Sequence, residues 1–267
     1  MKKTILITGS TDGIGKLTAM KFAKKDHTVY IHGRSQQKVF HVVNEIKALT
    51  NNEDIYGLVA DFSQLHNVKA LANQLLDKLE RLDVLINNAG VYNSVQTTNP
   101  SGLDMRFAVN FYAPYILTNS LKPVLVKTEN ARVLNLSSAA QSPFTVDELI
   151  GEQLVSVSEA YAKSKLALTM WSFHLAKTED SIKVIAVNPG SLLNTKMVKE
   201  AFGHHLSPAD KGASILYELV ISTQFKDVSG QYFDNDRGDF GSTHADAYNA
   251  AKVQALVNAT HQVVTSL

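Results

Sequence analysis

The sequence predicts a doubly wound α/β fold, a parallel sheet covered on both faces by helices, and three observations carry that expectation. Short runs of Val, Ile and Leu recur along the chain with few polar interruptions, as strands buried on both faces require. Stretches of helical periodicity separate them, the alternation that βαβ units produce. Gly9, Gly13 and Gly15 stand between the first apolar run and the first helical stretch, where open α/β sheets bind nucleotides.

The elements follow in order. Residues 4–8 read as the first strand and 14–25 as an amphipathic helix. Strand 28–32 precedes helix 36–49, and strand 55–60 precedes helix 65–79. Strand 84–87 leads into the longest helical stretch, 103–127. Strands 133–137 and 184–187 flank helix 159–177, and a last helix covers 208–223. Ser207 fits the N-cap of that helix and Pro208 its first position, where a missing N–H costs nothing. Segments 139–158 and 191–207 are the least regular, and both follow strands at their carboxyl ends. No Pro/Ser-rich linker, charge block or repeat divides the chain, so residues 1–267 read as one domain.

Composition narrows the function. With 26 Lys and Arg against 25 Asp and Glu, the net charge is +1, without the basic excess of a dedicated nucleic-acid binder. The absence of cysteine removes disulfides, thiolate nucleophiles and cysteine-ligated metals, and suits a reducing compartment. The apolar run after Met1 is too short for a signal peptide or a membrane span. A soluble, cytoplasmic protein is expected. His204 and His205 read as exposed loop histidines, and no His/Asp/Glu cluster has metal-ligand spacing.

The glycines let the backbone turn tightly and approach a pyrophosphate, which the following helix N-terminus stabilises. Thr11 and Ile14 belong to the same turn. No Gly-Lys-Ser/Thr follows, so this is not a P-loop. The second strand ends His32-Gly33-Arg34. An NAD site usually places a carboxylate there, whereas Arg34 offers a planar cation to a 2′-phosphate. A charge-assisted hydrogen bond of about 1.5–3 kcal/mol gives NADP(H) roughly ten- to hundredfold preference over NAD(H). Asp61, with Phe62 beside it, closes the third strand near the adenine. Asn88, Ala89 and Gly90 end the fourth with little bulk beside the cofactor.

Tyr161 and Lys165 are four residues apart, hence on one helix face. Tyr-x-x-x-Lys is weak by itself, and a second copy, Tyr248 and Lys252, has no serine-bearing strand before it. Order and context give the first copy its meaning. A tyrosine near pKa 10 exchanges protons poorly at neutral pH, and a neighbouring cation lowers an acid by about 1–3 units. Lys165 is expected to supply much of that shift. Ser138 would hydrogen-bond a substrate oxygen, although strand alternation leaves open whether Ser137 or Ser138 points inward. Asn110, on the long helix, would hold a water relaying protons to Lys165. Asn188-Pro189-Gly190 redirects the chain so that Pro189 and Gly190 wall a nicotinamide and Thr195 reaches its carboxamide or a phosphate.

These residues resemble the short-chain dehydrogenases/reductases, in their classical type. The resemblance rests on Thr8-Gly9-x-x-x-Gly13-Ile14-Gly15, Asp61, Asn87-Asn88-Ala89-Gly90, Asn110, Ser138, Tyr161-x-x-x-Lys165 and Pro189-Gly190 with Thr195. It implies an Asn-Ser-Tyr-Lys catalytic tetrad and hydride transfer with NAD(P). It also implies a seven-stranded parallel sheet of order 3-2-1-4-5-6-7, and a homodimer or homotetramer formed through helices 103–127 and 159–177. The long Ser138-to-Tyr161 interval, Gly33-Arg34 and Gly230-Gln231-Tyr232-Phe233 are similar to the retinol dehydrogenase and WW-domain oxidoreductase branch. No membrane anchor is read here, so a retinoid substrate does not follow.

The expected activity is NADP(H)-linked interconversion of a carbonyl and an alcohol on a small to medium, mostly apolar molecule. Segment 139–158, with Phe144, Leu149 and Ile150, and segment 192–206 would form its pocket. The alternative is a non-catalytic NADP-binding regulator or sensor of the same fold, which would have no need of Ser138, Tyr161 and Lys165 together.

Overall fold

A computed structural model describes residues 1–266. Its eight-stranded sheet has the order β3-β2-β1-β4-β5-β6-β7-β8. The strands are β1 (Thr4–Ile7), β2 (Thr28–Gly33), β3 (Ile55–Val59), β4 (Val84–Asn87), β5 (Ala131–Leu136), β6 (Ile182–Asn188), β7 (Gln231–Asp234) and β8 (Asp239–Gly241). The first seven are parallel in the expected order, and β8 adds an antiparallel edge.

Alternation along the central strands feeds two cores. Leu6, Leu85, Val133 and Val184 face α3 (Leu65–Leu76), α5 (Ala113–Leu125) and α7 (Val157–Thr178). Ile5, Ile7, Ile86, Leu134 and Ile185 face α1 (Gly13–Ala23), α2 (Gln36–Thr50) and α9 (Ala209–Ile221). All six residues of β5 are buried, and each buried Leu, Ile or Val side chain contributes about 1.5–3 kcal/mol. This explains why the strands read as continuous apolar runs.

Four features depart from the sequence reading. The stretch 103–127 is not one helix: α4 (Met105–Phe107) passes through a π-helical turn, Ala108–Tyr112, into α5. An α-helical bond to the Asn110 carbonyl would have to come from residue 114, which is Pro114 and has no N–H. The last long helix starts at Ala209, with Pro208 as an extended N-cap. The irregular segments hold α6 (Val146–Ile150) and α8 (Lys196–Phe202). Finally, α10 (Ala250–Thr265) follows β8 and contributes Leu256 and Ala259 to the core shared with α7.

Capping boxes set two of these starts. Thr145 with Glu148 begins α6, and Ser156 with Glu159 begins α7 two residues before the expected start. Glu148 also forms a buried ion pair with Lys163 on α7 at 2.5 Å. Tyr112 of the π turn donates to the Leu149 carbonyl at 3.1 Å. Segment 139–158 is thereby tied to the helix that carries Tyr161.

Candidate active site

The carboxyl ends of β1, β4, β5 and β6 bring the predicted residues to one crevice. Gly9 and Gly13 adopt left-handed φ values of 61° and 53°, a region open to glycine. A Cβ on Gly9 would lie 2.7 Å from the Ala89 Cα, and one on Gly15 would lie 2.7 Å from the Gly9 carbonyl oxygen. Asn88 braces this turn, its amide donating to the carbonyls of Thr8 and Gly9 at 2.8 and 2.9 Å. Thr8 Oγ1 accepts from the Asn88 and Ala89 amides at 3.0 Å. Asp12 caps α1, accepting from the Gly13 amide at 2.7 Å.

A cavity of about 480 Å³ opens beside Gly13, lined by Asp12, Asn194, Thr195, Lys196, Lys199 and Glu200. Thr195 caps α8 by accepting from the Val198 amide at 3.2 Å, and its methyl group lies over Gly13. Glycine backbone and Lys199 suit a pyrophosphate, although Lys196 pairs with Glu200 of the same cavity at 3.6 Å and Asp12 also lines it. Ile14 packs against Gly212 of α9.

At the adenine side, Arg34 is exposed at the end of β2 and pairs with no carboxylate among the described residues. Asp61 Oδ1 accepts from the Ser63 amide at 3.0 Å. Phe62 turns inward and stacks on His32, with centroids 4.1 Å apart. Sequence reasoning missed His32. It is buried, its Nδ1 accepts from the Gly9 amide at 3.1 Å, and its Nε2 lies 3.1 Å from the Ala60 carbonyl. That pairing makes Nε2 the protonated nitrogen of a neutral ring. Burial lowers its pKa to about 4.

Ser137 and Ser138 separate cleanly. Ser137 is buried, with Oγ 2.6 Å from Thr169 Oγ1 and donating to the Lys165 carbonyl at 3.2 Å. Ser138 faces the crevice, where contact with its hydroxyl opposes the rise in the Tyr161 pKa. Lys165 is buried one turn beyond Tyr161. Its Nζ donates to the Leu136 carbonyl at 2.7 Å and lies 5.6 Å from the centre of the Tyr161 ring. A Cβ on Gly90 would lie 3.3 Å from Asn110 Oδ1 and 3.6 Å from Lys165 Nζ, so Gly90 keeps this corner open.

Two expectations need correction. Lys165 does not depress the phenol here: burial raises the Tyr161 pKa, the Ser138 hydroxyl opposes that rise, and Tyr92 adds to it. Burial lowers Lys165 itself to about 8. One of the three ammonium N–H groups goes to the Leu136 carbonyl, which leaves two for other partners. Nor is the Asn110 side chain free for water. It accepts from the Val91 amide at 2.8 Å and donates to the Val91 carbonyl and Ser164 Oγ at 3.1 and 3.0 Å.

The apolar wall also differs from the sequence reading. Leu149 is fully buried and Phe144 packs edge-on against Phe107, so both belong to the core. Tyr92 takes their place, its ring centre 5.0 Å from Tyr161 and 5.4 Å from Phe202 of α8. Phe202 is exposed beside it. His204 and His205 are exposed, and no metal-binding cluster occurs among the described residues.

The short chain dehydrogenase family matches residues 3–205. The chain belongs to that family of oxidoreductases. It is 30% identical to bovine retinol dehydrogenase 12 over 256 residues, 91% of this chain and 81% of the relative. Human polyprenol dehydrogenase is 30% identical over 275 residues, 95% of this chain and 82% of that protein. Among solved structures, a short chain dehydrogenase of Shigella flexneri 2a strain 301 in complex with NADP matches with a TM-score of 0.71 at 27% identity. That alignment covers 88% of this chain and 97% of the other. The resemblance to the retinol dehydrogenase branch is thus borne out. No described helix is long and apolar enough to cross a membrane.

Proposed function

We propose that this family member is an NADP(H)-preferring reductase of apolar carbonyl compounds, or in reverse a dehydrogenase of the corresponding alcohols, with Tyr161 as the proton donor in reduction. The observation that carries the reading is the grouping of Ser138 and Lys165 about Tyr161, with Lys165 Nζ beside Gly90 and the neighbouring Ala89 packed on Gly9. Gly9, Gly13, Gly15, Thr195 and the adjoining lysines would hold the pyrophosphate. Arg34 would meet the 2′-phosphate, and Pro189 with Gly190 would wall the nicotinamide. A reduced nicotinamide held by these residues would supply the hydride for the carbonyl carbon. Tyr161, a neutral phenol at pH 7, gives its proton to the carbonyl oxygen as the alcohol forms. Ser138 holds that oxygen by donating a hydrogen bond. Lys165, whose Nζ lies 5.6 Å from the centre of the Tyr161 ring, would favour return of a proton to the phenol afterwards.

The substrate is small to medium and largely apolar, because Tyr92 packs on the Tyr161 ring and the exposed Phe202 packs on Tyr92 in turn. The names of the retinol and polyprenol dehydrogenases support that choice. Residues 163–172 of α7 are buried within one chain, so a homodimer or homotetramer would use other surfaces. A cytoplasmic, single-domain protein completes the reading.

A spectrophotometric screen of cofactor oxidation against aldehydes, ketones and quinones tests it. NADPH should exceed NADH in kcat/KM by about tenfold or more, and Arg34→Asp should erase the difference. Equal efficiency with both cofactors, unchanged by Arg34→Asp, removes the NADP claim.

A further inference from the structure

The turn between β7 and β8 grips the segment proposed to wall the nicotinamide. Asp236 is the centre of that grip. Its carboxylate accepts from the Ser191 amide at 2.8 Å, from the Ser191 hydroxyl, and from Asn188 Nδ2 at 3.0 Å. Asn188 Nδ2 also reaches Asp234 at 2.8 Å, and Asn235 Nδ2 donates to the Pro189 carbonyl at 2.8 Å. These bonds converge just before Leu192, whose φ is 47°. A branched side chain rarely adopts that left-handed conformation, and it persists where the surroundings over-determine it. The Leu206 amide fixes the far side, donating to the Leu192 carbonyl at 2.8 Å. Asp236 itself is exposed, so packing does not explain its place.

We propose that Asp236 is a positioning residue that holds Ser191 and the left-handed Leu192 in the shape that receives the nicotinamide half of the cofactor. The proposal rests on the NADP(H) reading and deepens it. Asp236 does no chemistry; it sets affinity for one half of the dinucleotide and leaves the adenine half to Arg34 and the β2–β3 end.

The test measures binding to the full chain by calorimetry with two probes, NADPH and 2′,5′-ADP, which lacks the nicotinamide. In Asp236→Ala, NADPH affinity should fall at least about tenfold, as expected for lost hydrogen bonds to a charged acceptor, with 2′,5′-ADP nearly unchanged. Adding Leu192→Gly should restore most of the NADPH affinity, because glycine takes a positive φ without steric cost. Should Asp236→Ala fold poorly, Asp236→Asn keeps one acceptor oxygen and should show a smaller loss of the same selectivity. Equal weakening of both probes, or unchanged NADPH binding, overturns the positioning role and leaves the cofactor reading standing. Wild-type protein that binds neither probe overturns the cofactor reading, and this inference with it.

Discussion

Replacing His32 with glutamine should make the fold less sensitive to acid. His32 is 3% exposed and both ring nitrogens are engaged, so the native state holds the neutral ring. Burial lowers its pKa from 6.5 to about 4. The sign follows from linkage. Above the unfolded value both states are neutral and the contribution is constant. As pH falls below 6.5 the unfolded chain takes up a proton that the folded chain refuses, and stability is lost until about pH 4. The gap of about 2.5 units, at about 1.4 kcal/mol per unit, amounts to roughly 3.5 kcal/mol. Urea unfolding of wild type and His32→Gln at several pH values between about 7 and 4.5 measures it. The wild type should lead near pH 7 and lose that lead by about 1.4 kcal/mol per unit below about 6.5, since carboxylates common to both proteins cancel. Parallel curves would refute the buried neutral imidazole.

Two further outcomes follow from the site. Gly15→Ala would place a Cβ 2.4 Å from Asn88 Nδ2 and 2.7 Å from the Gly9 carbonyl. The forced shift should cost about 1–3 kcal/mol and weaken NADPH about tenfold or more, read by thermal melting and calorimetry; a wild-type melt and affinity would contradict the packing. Lys165, lowered to about 8, is cationic below that pH and loses its charge above it. The kcat/KM for reduction should therefore be level below about pH 8 and decline above it, with Lys165→Arg moving the decline upward; a profile level to about pH 10 would count against the role given to Lys165.

Much of this was legible in the residues because it depends on local constraints. Unbroken apolar runs such as Val133-Leu134 announced strands buried on both faces, and the glycines announced a close backbone approach. Tyr161 and Lys165 are linked by helical periodicity alone. What escaped depends on contacts distant in sequence. His32 looks like an ordinary strand residue until Gly9 and Ala60 meet its two nitrogens. Asp236 gains its role only when β7 pairs with β6. The choice between Ser137 and Ser138 required the position of Thr169. Some signals were local and went unread: Thr145 with Glu148 and Ser156 with Glu159 are capping boxes, and Pro114 four residues after Asn110 marks a break in the helix.

The proton donor can be isolated from the rest of the site by one comparison. Tyr161→Phe removes the hydroxyl and keeps the ring packed against Tyr92. NADPH-dependent carbonyl reduction and NADPH affinity are measured on the same preparation. Turnover at least about 100-fold below wild type, with cofactor affinity retained, is the predicted result. Undiminished turnover by the phenylalanine variant would contradict it.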